Sequence, residues 1–159
     1  MKRDLSKPSN ADSVARPVVI GRREYLSFVE WPIRRIRVKI DTGAYTSALG
    51  VASYELTKTE PPRVRLCLSL NRKHPERMVE VEAPIVRMTV VRNSAGMPEQ
   101  RPVVETTVRL GPVEKRIQLT LTFRTGMRCR MLLGRQALAG DFLVDVTRKD
   151  ALRPKAKDE

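Results

Sequence analysis

A chain of 159 residues is long enough for one domain with a buried core, but short for an enzyme built from two lobes around a cleft. Its formal net charge of +13 creates a positive surface potential, which suits nucleic acids and acidic peptides as partners. No apolar run approaches the length that spans a bilayer, and the charged N-terminus lacks the apolar core of a signal peptide. We therefore expect a cytoplasmic protein with no membrane partner.

Both ends of the chain are polar, charged and without periodicity. Residues 1–16 predict a flexible basic N-terminal tail, and residues 148–159 predict a flexible charged C-terminal tail. The folded domain is expected to comprise residues 17–147.

Alternating apolar and polar side chains, which are typical of β-strands, dominate this domain. In chain order the alternation covers residues 36–40, 64–70, 104–110 and 117–122, and turn-forming residues such as Pro61-Pro62 and Gly111-Pro112 separate these runs. Helical patterns are confined to short segments at Val51–Leu56 and Arg135–Ala139. The pattern favours an all-β barrel or compact sandwich with short helical segments.

The residues that could bind a metal are few. Cys67 and Cys129 lie in apolar contexts and are expected to be buried free thiols, and His74 lies in a polar turn. Convergence of these three on zinc is the less favoured alternative, because a His-Glu-x-x-His motif is missing from the sequence. A phosphate-binding Gly-x-x-x-x-Gly-Lys-Ser/Thr loop is missing too, so we expect neither a metal nor another cofactor.

The run Asp41-Thr42-Gly43-Ala44 follows directly after the first alternating strand and places a carboxylate on a tight turn. Taken alone, it could be a simple strand-ending turn. About ninety residues later, the apolar strand Leu132-Leu133 ends in Gly134-Arg135. The pair of motifs resembles the retropepsin-like aspartic peptidases, in which a later apolar strand ending in glycine braces an Asp-Thr-Gly loop. By this resemblance Asp41 would be catalytic, and Leu132, Leu133, Gly134 and Arg135 would support its loop.

An aspartic peptidase needs two carboxylates that share one water, one protonated and one ionised. The sequence contains one such loop, so the partner carboxylate would be Asp41 of a second copy in a homodimer. Thr42 would then hydrogen-bond across the dimer, Gly43 would allow close backbone approach, and Ala44 would leave room for the substrate backbone.

Residues 90–103 are expected to form two strand ends joined by the polar tip Asn93-Ser94-Ala95-Gly96-Met97. By its order in the chain, this hairpin corresponds to the retropepsin flap that closes over substrate. An ordinary hairpin loop is an equally good interpretation. Arg92 and Arg101 flank the tip and are candidate contacts for acidic side chains of a substrate.

Four longer blocks of the sequence carry a narrower resemblance: Ile20-Gly21-Arg22-Arg23-Glu24, residues 39–44 with Thr46-Ser47-Ala48-Leu49, Ala83-Pro84, and residues 130–145. They resemble the RimK-associated peptidases, which have also been labelled ATP-dependent zinc proteases. The resemblance implies a retropepsin-like closed barrel with one lobe per chain. It also implies a link to the ligase that adds glutamate tails to ribosomal protein S6. Tyr45 departs from the arginine expected at its position, which puts subsite specificity in doubt.

The main hypothesis is a homodimeric aspartic endopeptidase that acts on acidic or glutamate-tailed substrates. An alternative is a basic β-barrel that binds RNA or the ribosome without catalysis, although an aromatic content of 4% offers few stacking surfaces for bases. A second alternative keeps the retropepsin-like fold but only binds acidic peptides.

Overall fold

The computed structural model describes residues 16–71, 73–93, 95–123 and 128–153. Strands make up almost all of its regular structure. In chain order the elements are β1 (Val18–Ile20), β2 (Arg23–Phe28), β3 (Ile36–Ile40), β4 (Ser47–Val51), β5 (Ser53–Leu56), β6 (Arg63–Ser69), β7 (Met78–Arg92), β8 (Pro98–Leu110), β9 (Val113–Phe123), β10 (Met131–Leu133), α1 (Arg135–Leu138) and β11 (Phe142–Val144). In the described part of the chain, no helix has the length and apolar character needed to cross a bilayer.

Six strands pair in a ring. They follow the order β2, β3, β10, β4, β9 and β8, and β2 pairs again with β8 at Ser27–Arg109 and Phe28–Val108. Strands β7, β6 and β5 extend the sheet beyond β8, while β1 and β11 form a separate parallel pair. The prediction of an all-β, retropepsin-like fold with one lobe per chain is confirmed.

The alternation of the sequence corresponds to the two faces of these strands. In β3, Ile36, Val38 and Ile40 are buried, whereas the side chains between them are at least partly exposed. Buried residues of β9 and β10 join the same core, including Leu119, Leu121 and Met131. Burial of this apolar face provides most of the free energy that stabilises the ring of strands.

The short helix Arg135–Leu138 forms as predicted, but the helix predicted at Val51–Leu56 is wrong. Val51 ends β4, and Ser53–Leu56 is strand β5, which pairs antiparallel with β6. The Tyr54 ring also stacks on Phe123, with 5.3 Å between ring centroids. Strand pairing and this aromatic contact outweigh a weak local helical preference.

The two cysteines are free thiols, but both are partly exposed, so the prediction that they are buried is wrong. Cys67 occupies a position on β6 between the buried Leu66 and Leu68, and therefore points to the outer face of the sheet. The alternation of residues 64–70 already places Cys67 opposite the buried leucines, and this face decides its exposure.

The chain after β11 returns to strand β2. The Arg22 amide donates to the Arg148 carbonyl over 2.8 Å, and the Asp150 amide donates to the Arg23 carbonyl over 3.0 Å. The Leu152 amide donates over 2.9 Å to the carboxylate of Glu24, a fully buried side chain. The packed structure thus continues at least to Leu152, beyond the expected domain end at 147. Residues 1–15 and 154–159 of the expected tails lie outside the described residues.

Truncation after Thr147 should lower the free energy of unfolding by about 2–4 kcal/mol, because it removes a hydrogen-bond donor from the buried Glu24 carboxylate. Chemical denaturation with a circular dichroism readout measures this change. Truncation after Arg153 is the matched control and should leave stability unchanged. Equal stability of the two truncated chains would show that residues 148–153 contribute nothing to the fold.

Candidate functional site

Asp41 stands at the end of β3, at the start of a loop that runs to Thr46. Its amide donates to the Leu133 carbonyl over 2.9 Å, which joins the loop to the end of β10. Its side-chain Oδ1 accepts the Gly43 amide over 3.0 Å, and the Ala44 amide donates to its carbonyl over 3.3 Å. These contacts orient a partly exposed carboxylate at the end of a strand.

The start of α1 holds the far side of this loop through backbone contacts. The Arg135 amide donates to the Ala44 carbonyl over 2.8 Å, and the Gln136 amide donates to the Tyr45 carbonyl over 3.0 Å. The loop carbonyls thus receive the amides at the beginning of the helix, which would otherwise lack intrahelical partners.

Gly134 lies directly beneath the loop. A Cβ at this position would lie 2.6 Å from the Thr46 carbonyl oxygen, 2.7 Å from that of Tyr45 and 2.8 Å from that of Ala44. Carbon and oxygen atoms do not approach so closely without displacement, so only glycine fits. The Gly134 amide donates to the buried Ser47 hydroxyl over 3.1 Å.

Arg135 supports the loop with its side chain as well. Its Nη1 donates to the Thr42 carbonyl over 3.0 Å, and its guanidinium carbon lies 5.8 Å from the centre of the Tyr45 ring. These contacts suit the scaffold role predicted for Arg135. Tyr45 packs against this cation, and Leu132 is buried in β10 between Lys39 of β3 and Ala48 of β4.

The hairpin expected at residues 90–103 is present as the end of strands β7 and β8. Residues 98–102 pair with β7 alone, because β8 pairs with β9 only from Val103 onward. At the tip, the Asn93 side chain accepts the amides of Ala95 and Met97, both over 3.0 Å, and Gly96 has a φ of +77°. Ser94 lies outside the described residues.

The two arginines that flank this tip have partners within the hairpin. Arg92 donates to the Gly96 carbonyl over 2.9 Å, and Arg101 forms an ion pair with Glu99 at 3.1 Å. The Nε of Arg101 is buried with no hydrogen-bond partner among the described residues. Their assignment as substrate contacts stays a prediction.

The candidate zinc ligands do not come together. The His74 ring lies 3.3 Å from the Glu76 carboxylate in an exposed turn, and no group of three or more His, Cys, Asp or Glu side chains suited to a metal occurs in the described segments. Cys67, His74 and Cys129 therefore do not form one site.

Two contacts of the site were not predicted from the sequence, namely those of Ser47 and Gln136. Ser47 is nearly fully buried in β4. A hydroxyl at an inward-facing strand position needs a hydrogen-bond partner, and this requirement could have indicated the contact with a neighbouring amide. Gln136 contributes only its backbone amide, and a backbone contact of this kind cannot be predicted from the residue type.

The model of the RimB-like family, described as retropepsin-like aspartic endopeptidase RimB, matches residues 19–155. The chain therefore belongs to the RimB-like family of retropepsin-like aspartic endopeptidases.

Two curated relatives are each named probable alpha-L-glutamate ligase. The one from Parasynechococcus marenigrum is 32% identical over 135 residues, covering 83% of this chain and 28% of the relative. The one from Desulfotalea psychrophila is 30% identical over 141 residues, covering 88% and 30%. This chain thus spans less than a third of the length of these relatives.

A solved structure has a similar fold. The crystal structure of the Legionella pneumophila protein Lpg0085, titled as having unknown function, aligns with a TM-score of 0.71 at 21% identity. The alignment covers 87% of this chain and 100% of that chain. It supports the fold alone.

Gly134→Ala should lower the free energy of unfolding by about 2–3 kcal/mol, because the added methyl group meets three backbone carbonyls. Gly96→Ala is the control: its Cβ would meet nothing within 4 Å, so only the positive φ is penalised, by about 1 kcal/mol. Urea denaturation followed by fluorescence compares the two. A Gly134→Ala protein as stable as Gly96→Ala would contradict the close contact beneath the loop.

Proposed function

We propose that this chain is a homodimeric aspartic peptidase whose catalytic group is Asp41. The observation that carries the proposal is the fixed position of the Asp41 carboxylate, on a loop bonded to β10 and α1, in a member of a retropepsin-like family. Thr42, Gly43 and Ala44 complete the loop, and the contacts of Arg135 and Gly134 hold it in place.

The chemistry follows from pairing two such loops. When two carboxylates lie a few ångströms apart, repulsion prevents both from ionising, so one keeps a proton. The ionised carboxylate takes a proton from a shared water as that water attacks the peptide carbonyl, and the protonated one donates to the carbonyl oxygen. Each copy of the chain would supply one of these two groups.

The substrate we propose is an acidic or glutamate-tailed peptide or protein, such as tailed ribosomal protein S6 in the cytoplasm. A segment similar to this chain occurs within proteins named probable alpha-L-glutamate ligase, which suggests that the two activities act on related chains. The net charge of +13 favours encounter with such substrates. A glutamate ligase is accordingly a candidate partner.

The hairpin of β7 and β8 is the proposed flap. Between residues 85 and 102 it is a two-stranded projection with exposed apolar side chains, including Met88, Val90 and Met97. Such a projection can close over a bound peptide and exclude water. Arg92 and Arg101 would stiffen it or contact acidic side chains.

Asp41→Asn should reduce hydrolysis of a glutamate-tailed protein by at least about 10³-fold while leaving the fold intact, because the amide cannot act as acid or base. Mass spectrometry of the released fragments measures the rate. Glu82→Gln, which alters an exposed carboxylate paired with Arg63 across β6 and β7, is the control and should retain full activity. Comparable rates for Asp41→Asn and wild type would end the catalytic proposal.

Mixing wild type with an equal amount of Asp41→Asn should lower activity per wild-type chain to about one half, since random pairing puts half of the wild-type chains into dimers with one carboxylate. Mixing with a folded control protein should leave that activity unchanged. Activity that is proportional to the wild-type chain at every mixing ratio would indicate that one chain works alone. Peptide binding with no hydrolysis under any condition would favour the non-catalytic alternative.

A further inference from the structure

Several arginines of this basic chain are paired with carboxylates. On strands β6 and β8 they form ion pairs, as in Arg63–Glu82 at 2.9 Å and Arg109–Glu114 at 2.7 Å. Arg116 of β9 is likewise bonded to both Glu30 and Glu105. The positive charge of these side chains is therefore neutralised locally.

A different arrangement surrounds an open groove of about 840 Å³ beside β2 and β3. We define the cationic groove by five of its lining residues: Tyr25, Arg35, Arg37, Lys73 and Arg128. None of its four cations forms an ion pair with a carboxylate in the described ranges. The groove thus groups four positive charges on one surface.

Tyr25 organises two of these cations. The guanidinium carbon of Arg35 lies 3.9 Å from the centre of the Tyr25 ring, and that of Arg37 lies 5.1 Å from it. Arg37 also donates a hydrogen bond to the Tyr25 hydroxyl, and this bond, with the nearby charges, lowers the pKa of Tyr25. Two like charges are thereby held in fixed positions before any ligand arrives, which reduces the entropy lost on binding.

Two carboxylates lie near the groove. Asp150 lies in an adjoining pocket with Arg35 and Arg153, and its charge also acts on Arg37, so it offsets part of the positive charge. Glu24 is fully buried and bonded to the Leu152 amide. The four cations of the groove therefore outnumber the one carboxylate that acts on them in the described part of the chain.

Acidic peptide fits this groove better than nucleic acid. Binding of single-stranded nucleic acid combines cationic contacts to phosphates with stacking of bases on aromatic faces. Tyr25 is the aromatic side chain that lines the groove, and Arg35 already covers one of its faces. Carboxylates need only the guanidinium and ammonium donors that the groove supplies.

The position of the groove relates it to the Asp41 loop. Asp41 follows Arg37 by four residues along β3. At about 3.3 Å per residue, the two positions lie about 13 Å apart. An extended peptide covers this distance with about four residues.

We infer that the cationic groove is a second binding site, separate from the Asp41 loop, that holds a carboxylate-rich segment of a peptide substrate. The inference rests on the proposed function for the identity of the peptide. The groove would anchor one part of an acidic chain while a neighbouring part reaches the loop.

The test measures binding without hydrolysis, in an Asp41→Asn background, by fluorescence anisotropy of a labelled peptide of ten glutamates. Arg35→Gln with Arg128→Gln should weaken binding by about tenfold or more, since charge-assisted contacts are lost. The matched control is Arg63→Gln with Arg109→Gln, which removes the same two charges from paired sites and should weaken binding by less than about twofold. Lys73→Gln alone, which leaves the Tyr25 contacts intact, should weaken it by about threefold.

Equal weakening in both double variants would overturn the inference, because the overall charge and not the groove would then govern binding. Unchanged binding in the groove variants would overturn it as well. An unlabelled RNA of ten nucleotides that displaces the peptide more effectively than unlabelled peptide would reassign the groove to nucleic acid. Because no cleavage is measured, these outcomes are independent of whether Asp41 is catalytic.

Discussion

The site depends on a crossing of two chain segments at the end of β10. Strand β10 lies between β3 and β4, so the loop from Asp41 to Thr46, which joins those two strands, must pass over its end. Gly134 occupies that crossing point, where three loop carbonyls leave no space for a side chain. The amides of Arg135 and Gln136 satisfy loop carbonyls there, so backbone contacts from the start of α1 hold the loop in place.

The crossing brings together two short motifs that lie about ninety residues apart, the Asp41 loop and the strand that ends at Gly134. Most of the predicted site rests on these two motifs. Position 134 requires glycine because there is no space for a Cβ, and position 41 requires a carboxylate for the proposed reaction. The pairing of the motifs came from resemblance, because neither sequence run indicates which strand lies beside it. Strand faces were also predictable in part, since burial in β3 and in residues 104–110 of β8 follows the period of two. In β9 the alternation fails, because Thr120 and Thr122 are buried along with Leu119 and Leu121.

Features that depend on distant contacts could not be predicted. Glu24 is buried because Leu152, 128 residues away in the chain, donates to its carboxylate, and residues 148–153 show no periodicity that would reveal this packing. Strand β5 was predicted as a helix because its four residues obtain their conformation from β6 and from the stack of Tyr54 on Phe123. The same holds for the cationic groove: composition gives the net charge, but only the fold determines which arginines have acidic neighbours.

A distance between the groove cations and Asp41 would suit the proposed dimeric peptidase. In a dimer of identical chains the two Asp41 loops would meet at the symmetry axis, where space is limited and every residue appears twice. Cations placed there would stabilise both carboxylates as anions and oppose the protonated member of the pair. Binding of an acidic chain in the proposed groove, about 13 Å along β3, would supply affinity without that penalty. Arginines on β6, β8 and β9 form ion pairs, whereas the groove cations lack such pairs among the described residues. The distribution of arginines, more than their number, would then determine where an acidic substrate binds.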